Sequence, residues 1–280
     1  MLGRRTFLTL ASAIAVVPGA SLAANRLDVA LKAAIDGKQR GPVNTARDGA
    51  RHPYETLIFW GLWPGQTVIE VSPGGGYWTE ILAPYAKATK GAYVAGVADL
   101  SNPDISDRAK AGRAAFEAKY ADAAVFGTVR YANFGPKSGP LGPAGSADLV
   151  ITARNIHNWL PNGMLDKVMA DFYAVLKPGG SLGIEEHRAD PRPQVEGASD
   201  GYMSVASVVA AAEKAGFKLA AQSEINANPK DTKDHPFGVW TLPPTRQSSA
   251  DGKPDPAFDR SRYDGIGESD RMTLRFVKPK

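Results

Sequence analysis

The sequence predicts an α/β fold: a doubly wound, mostly parallel sheet with helices on both faces. Three observations lead there. Short β-branched runs alternate with helical stretches from residue 67 onward, the order that parallel sheets require. The first run, Thr67–Val71, ends in the glycine-rich turn Ser72–Gly76, which opens directly into a helical pattern. Polar side chains gather just after the fourth run and at the end of the fifth, and open α/β sheets bind ligands at the carboxyl ends of their strands.

Each element has its own warrant. Arg26–Asp36 carries Leu27, Leu31, Ala34 and Ile35 at helical spacing, and residues 37–49 are polar and turn-rich. Thr56–Leu62 is an apolar helix, followed by the turn Trp63–Gln66 and the buried strand Thr67–Val71. Tyr77–Tyr85 resumes as helix, with Trp78, Ile81, Leu82 and Tyr85 on one face. Gly91–Val97 is a second strand and Asp107–Tyr120 an Ala-, Lys- and Glu-rich helix. Gly127–Phe134 is a third strand, Gly135–Gly145 a loop, and Ala147–Thr152 a fourth strand. Met164–Leu176 is helical, and the turn Lys177–Gly180 leads into a fifth strand, Ser181–Glu185. The helix Met203–Ala215 precedes the sixth strand, Phe217–Glu224. Arg271–Lys278 alternates apolar and polar residues, the pattern of a final edge strand. Residues 225–270 lack periodicity and exceed ordinary loop length. Their aromatic and apolar content predicts an ordered insertion, a lid or a substrate wall.

Composition bounds the function. The 280 residues suffice for one α/β domain. Cysteine is absent, which excludes disulfides, thiolate metal sites and a cysteine nucleophile. Residues 1–23 read as an export signal. Arg4-Arg5-Thr6-Phe7-Leu8 precedes an apolar stretch, and Ser21-Leu22-Ala23 has small residues where a signal peptidase cuts. The arginine pair resembles the twin-arginine type, so a periplasmic or otherwise exported protein is expected. The stretch is too short to span a bilayer comfortably, so no stable membrane insertion is expected after processing. The domain plan is therefore a signal (1–23), an N-terminal helix and linker (24–50), and one α/β domain (51–280). Removing Arg4 and Arg5 lowers the formal charge from +4 by two. With no basic block interleaved with aromatics, nucleic acid is not an expected partner.

The turn discriminates between cofactors. A dinucleotide turn wants G-x-G-x-x-G; Gly74 and Gly76 fit, but Thr79 stands at the third glycine, which counts against NAD. Aligned on Glu70, the stretch instead resembles E/D-x-G-x-G-x-G, the first motif of class I S-adenosylmethionine-dependent methyltransferases, with Ser72 at the first glycine. The alternation of elements, Asp99 after the second strand and the turn Lys177-Pro178-Gly179-Gly180 extend that resemblance over residues 50–280. More narrowly, the chain resembles a bacterial group of exported members carrying Glu70–Tyr77, Arg154–Trp159, Asn228–Asp234 and Trp240–Pro244. The resemblance implies a Rossmann-like, seven-stranded sheet whose last strand is antiparallel. It names no substrate.

Carried onto these positions, the resemblance makes Glu70, Ser72, Gly74, Gly75 and Gly76 the cofactor turn. Asp99 is placed to accept from ribose hydroxyls, and Asn133 and Phe134 lie where adenine would sit. Arg154 and Asn155, after the fourth strand, are expected to bind the cofactor, and Arg51 or His52 could meet the cofactor's carboxylate. His157-Asn158-Trp159 is similar to the His-Asp-Trp of small-molecule O-methyltransferases, whose histidine is the base. His157 is the first candidate for that role and His187 the second, with Glu186 orienting either one. The four histidines with Glu185 and Glu186 show no short ligand spacing, so no metal is expected. The expected function is methyl transfer to an oxygen or nitrogen of a small molecule. The alternative is an exported ligand-binding protein on the same scaffold, because S-adenosylmethionine is made in the cytoplasm.

Overall fold

A computed structural model describes residues 28–280. The predicted export signal lies outside the described residues. The chain runs α1 (Val29–Ile35), α2 (Pro42–Thr45), α3 (Asp48–Arg51), α4 (Pro53–Trp60), β1 (Thr67–Val71), α5 (Thr79–Thr89) and β2 (Ala92–Ala98). It continues through α6 (Asp107–Lys119), α7 (Ala123–Phe126), β3 (Val129–Phe134), β4 (Ala147–Ala153), α8 (Ile156–Trp159), α9 (Leu165–Val175) and β5 (Leu176–His187). The last elements are α10 (Val205–Lys214), β6 (Lys218–Ser223), α11 (Ser261–Ile266) and β7 (Arg271–Val277). Among the described residues no helix is long and apolar enough to cross a membrane.

One seven-stranded sheet has the order β3-β2-β1-β4-β5-β7-β6. The pairs from β3 through to β5 are parallel, and β7 is antiparallel to both β5 and β6. β7 is therefore internal, which corrects the expectation of a final edge strand; β6 takes the edge. The alternation that suggested an exposed face has another cause. Of its polar members Arg271 and Thr273 are buried and Arg275 is half-buried. Arg271 meets Glu185 at 3.0 Å and Glu268 at 2.6 Å, and Thr273 accepts from Asn226 at 3.0 Å. Polar residues at a strand's alternate positions face solvent only when no partner is buried beneath them.

Two apolar layers flank the sheet. Val68, Leu149 and Ile151 face a core built with Leu31, Leu57, Trp60 and Ile81 from α1, α4 and α5. Ile69, Val150, Leu182 and Leu274 face the other, built with Val168, Phe172, Val208 and Ala212 from α9 and α10. Local chemistry closes the elements. Asp28 caps α1 by accepting from Leu31 N–H, and Ser106 caps α6 by accepting from Ala109 N–H. Pro84 lies inside α5 and has no N–H for the Glu80 carbonyl; Gln39 Nε2 donates to that oxygen at 3.1 Å instead. This bond ties the segment before α2 to the helix that follows the glycine turn.

The insertion after β6 is pinned at its root. Asn226 donates to Thr56 and Thr273 hydroxyls, each at 3.0 Å. Asn228 donates to the Ile266 and Glu268 carbonyls at 2.9 and 2.7 Å. The Asp231 carboxylate accepts from Tyr202, from His235 and from the backbone N–H of Asp270. Thus Asn228–Asp231, singled out in the sequence, works as an internal clamp, and α11 lies within the segment that showed no periodicity.

Candidate active site

The turn after β1 uses backbone shapes that most residues avoid. Ser72, Gly74 and Gly76 have φ of +55°, +56° and +85°. Ser72 adopts the left-handed region despite its side chain, anchored by its N–H to the Gly96 carbonyl at 2.9 Å. The two glycines differ. A Cβ at Gly76 would lie 1.7 Å from the Tyr120 hydroxyl, whereas one at Gly74 would meet nothing within 4 Å. Gly76 is thus required by packing, while Gly74 leaves open space above the backbone. Asn155 fastens the turn to β4: its Nδ2 lies 3.3 Å from the Val71 carbonyl, 3.2 Å from that of Ser72 and 2.9 Å from the Thr152 hydroxyl.

Ser72, Pro73 and Gly74 border two cavities. The first, of 290 Å³, is lined further by Gly75, Arg154, Asn155, His157 and His187, with Arg47 from the N-terminal segment, Tyr77 from the end of the turn, and Val239, Trp240 and Pro243–Thr245 from the insertion. The insertion is a wall of this cavity. The second, of 370 Å³, is lined by Val97, Ala98, Arg113, Phe116 and Phe134.

His157 and Glu186 form a buried pair in the wall. His157 Nδ1 lies 2.9 Å from Glu186 Oε1. The same carboxylate accepts from the backbone N–H groups of Ile156 at 2.6 Å and His187 at 2.8 Å. His187 packs beside His157, ring centroids 5.1 Å apart, with its Nδ1 2.5 Å from Ser269 Oγ. Burial, the neighbouring His157 and the guanidiniums of Arg154, Arg271 and Arg51 push the His187 imidazole well below its usual 6.5, so it stays neutral at neutral pH. Trp240 stands edge-on to His157 at 6.0 Å.

His157, Glu186 and His187 bring one donor atom each within 4.8 Å of one another. Sequence spacing hid this grouping, because one member follows β4 and two end β5. The carboxylate is already engaged by backbone N–H groups and His157, and guanidiniums surround the cluster; the arrangement suits proton handling better than a cation.

Other predicted residues lie around the cavities. Glu70 sits beneath the turn, its Oε2 accepting from Tyr93 at 2.6 Å and Thr79 at 2.8 Å. Burial pushes its pKa up to about 7 against those two hydrogen bonds. The Asp99 carboxylate accepts from Ser101 N–H at 2.9 Å and its hydroxyl at 2.5 Å. Asn133 accepts from Arg113 at 3.2 Å. Arg51 is buried against Tyr77, 4.4 Å from its ring centroid, and His52 Nδ1 lies 3.3 Å from Asn226 Oδ1. Glu70, Asp99, Asn133, Arg51 and His52 line neither cavity. Arg47, Tyr77 and Glu268 were not singled out. Nothing in the local pattern of residues 37–49 distinguishes Arg47 from a solvated arginine.

No family model matches the sequence, and no curated protein matches it. Solved structures resemble its fold at low identity. One is the [4+2]-cyclase SpnF, at TM-score 0.53 and 15% identity, covering 86% of this chain and 84% of that one. A second, provisionally assigned as a sarcosine dimethylglycine methyltransferase from Galdieria sulphuraria, has TM-score 0.53 and 12% identity, covering 84% and 87%. A third is geranyl diphosphate C-methyltransferase from Streptomyces coelicolor, solved with S-adenosyl-L-homocysteine, at TM-score 0.51 and 10% identity, covering 88% and 87%. The strand order with an antiparallel β7 is that of the Rossmann-like methyltransferase fold. That one neighbour is a cyclase illustrates that this fold does not fix an activity.

Proposed function

We propose that this chain is an S-adenosylmethionine-dependent methyltransferase acting on an oxygen or nitrogen atom of a small molecule. The observation that carries the reading is the left-handed turn at the carboxyl end of β1, bordering two cavities, with the His157–Glu186 pair in the wall of one. The residues present fit the cofactor. Gly74 offers a backbone cradle that a Cβ would fill, and the apolar ring of Phe134 and the side chain of Val97 line the second cavity. Ser72–Gly75, Val97 and Phe134 would hold the cofactor, whose contribution when bound is a methyl group activated on a sulfonium.

The chain's own residues then have little to do beyond alignment and proton removal. With Glu186 accepting at Nδ1, the His157 tautomer carries its proton there and presents Nε2 as an acceptor. His187, held neutral by its surroundings, is the second candidate. Trp240 and Pro243–Pro244 narrow the first cavity against water.

A calorimetric titration of residues 24–280 with S-adenosylmethionine and S-adenosylhomocysteine tests the reading. Micromolar binding of both is expected; a folded protein that binds neither overturns it. The alternative, an exported ligand-binding protein, draws support from the cationic lining of the first cavity, which suits an anionic ligand. Export by the twin-arginine route belongs to the same proposal, resting on Arg4-Arg5 and Ser21-Leu22-Ala23. Cell fractionation tests it: full-length protein confined to the cytoplasm would refute export.

A further inference from the structure

Positive charge outweighs negative charge around the first cavity. Arg47 and Arg154 line it, and no aspartate or glutamate does. Behind them lie Arg51 and Arg271, 0% and 2% exposed. Two carboxylates pair with three of these four guanidiniums. Glu268 is 2.6 Å from Arg47, 3.1 Å from Arg51 and 2.6 Å from Arg271, and Glu185 is 3.0 Å from Arg271. Glu186, the next nearest, is committed to His157 and backbone N–H groups. Arg40 and Asp48 form a separate pair at 2.6 Å.

The surplus shows as unused donors. Among the described residues Arg154 makes no side-chain hydrogen bond and no ion pair, and its buried Nε has no partner. Arg47 Nη2 and both terminal nitrogens of Arg51 are likewise buried without a partner. Arg154 is also held at φ +60°, its N–H donating to the Glu185 carbonyl at 2.8 Å. Such backbone strain persists where the surroundings enforce an orientation. Unpaired buried charge is costly, so a ligand that relieves this site must bring negative charge. S-adenosylmethionine does not: its sulfonium and ammonium together outweigh its carboxylate, leaving the molecule a cation.

We propose that the methyl acceptor is an anion, a small molecule bearing a carboxylate or phosphate group that docks on Arg154 and Arg47 beside His157. This rests on the methyl-transfer reading and adds to it the substrate's chemical class. The acceptor's acid satisfies the unused guanidinium donors, offsets the charge of the sulfonium and fixes which end of the molecule faces His157. Arg154 and Arg47 are on this view binding residues for the substrate.

The test is a titration with inorganic phosphate, alone and at saturating S-adenosylhomocysteine. Phosphate is expected to bind in both conditions. Arg154→Gln and Arg47→Gln should each weaken it roughly tenfold or more, as loss of a charge-assisted hydrogen bond implies. Without phosphate, Arg154→Gln should melt no lower than the parent, because it removes a charge that lacks a partner; Arg47→Gln provides an independent binding arm. No phosphate binding by the folded parent protein overturns the proposal. Mutual exclusion of phosphate and S-adenosylhomocysteine also overturns it, by assigning these guanidiniums to the cofactor's carboxylate. Phosphate binding with no S-adenosylhomocysteine binding would overturn the methyl-transfer reading, and the acceptor assignment with it, while leaving an anion site.

Discussion

Glu186 holds His157 through Nδ1 at 2.9 Å and in the same stroke caps the backbone N–H of Ile156 at 2.6 Å. One carboxylate thus sets both the imidazole tautomer and the start of the short helix that carries it. His157→Ala should lower methyl transfer about 10²–10⁴-fold, the usual range for a general base, with S-adenosylhomocysteine affinity unchanged. Glu186→Gln should cost about 1–3 kcal/mol of stability, since an amide cannot accept from all the donors that converge there. Single-turnover rates and urea melts read the two effects separately.

The two turn glycines should fail in different ways. Gly76→Ala forces a methyl against the Tyr120 hydroxyl and should cost about 1–3 kcal/mol from overpacking alone. The Cβ of Gly74→Val meets no protein atom within 4 Å, so its stability cost should be mainly the left-handed strain, about 1–2 kcal/mol. It should nonetheless abolish cofactor binding. Retained affinity in a folded Gly74→Val protein would show that the ligand lies elsewhere.

Glu70 predicts a pH dependence of stability. Burial raises its folded pKa from 4.5 to about 7. Between those values the folded state holds a proton that the unfolded state has released. Stability from this group is therefore full below pH 4.5 and falls as pH rises towards 7, by on the order of 3 kcal/mol in all. Glu70→Gln should remove that slope. His187 works in the opposite sense: its lowered pKa means that stability is present above 6.5 and lost as pH falls below it. Comparing Glu70→Gln with the parent by urea denaturation at pH 5 and pH 8 isolates the first effect.

The Arg271–Glu185 pair is buried at both ends, 2% and 0% exposed, at 3.0 Å. Arg271→Met strands Glu185 without its cation and should cost about 3–5 kcal/mol. The double change Arg271→Met with Glu185→Leu should recover much of that loss, which a thermal melt of both variants would reveal.

How much of this was legible depends on whether a residue's partner lay near it in sequence. Thr67–Val71 and the helix after the turn declare themselves by β-branching and spacing; β1 matches expectation residue for residue, and α5 starts two residues later and ends four residues later than expected. His157 and His187 stood out because polar clusters at strand ends are chemically unusual. Arg271 misled, since its alternation with Met272 reads as an exposed face until Glu185 and Glu268 are brought beneath it. Arg47 gave no signal, because its partner Glu268 is 221 residues away. Glu70 matched the motif's acid, yet only the fold shows that Tyr93 and Thr79 claim its carboxylate. α11 was missed for a similar reason: the insertion is ordered by side chains such as Asn228 that bind backbone carbonyls, which leave no periodic trace.

The internal position of β7 has a consequence for how the molecule is made. Among the described residues β6 pairs with no strand except β7, and β5 has β7 as its second neighbour. Arg271 and Glu268, which complete the charged layer behind the first cavity, belong to the same final stretch. Until residues 268–277 are in place the sheet is therefore still open and the first cavity lacks its electrostatic backing. The site is complete only once β7 lies between β5 and β6. Loss of residues 271–277 would leave not a trimmed protein but an unclosed one.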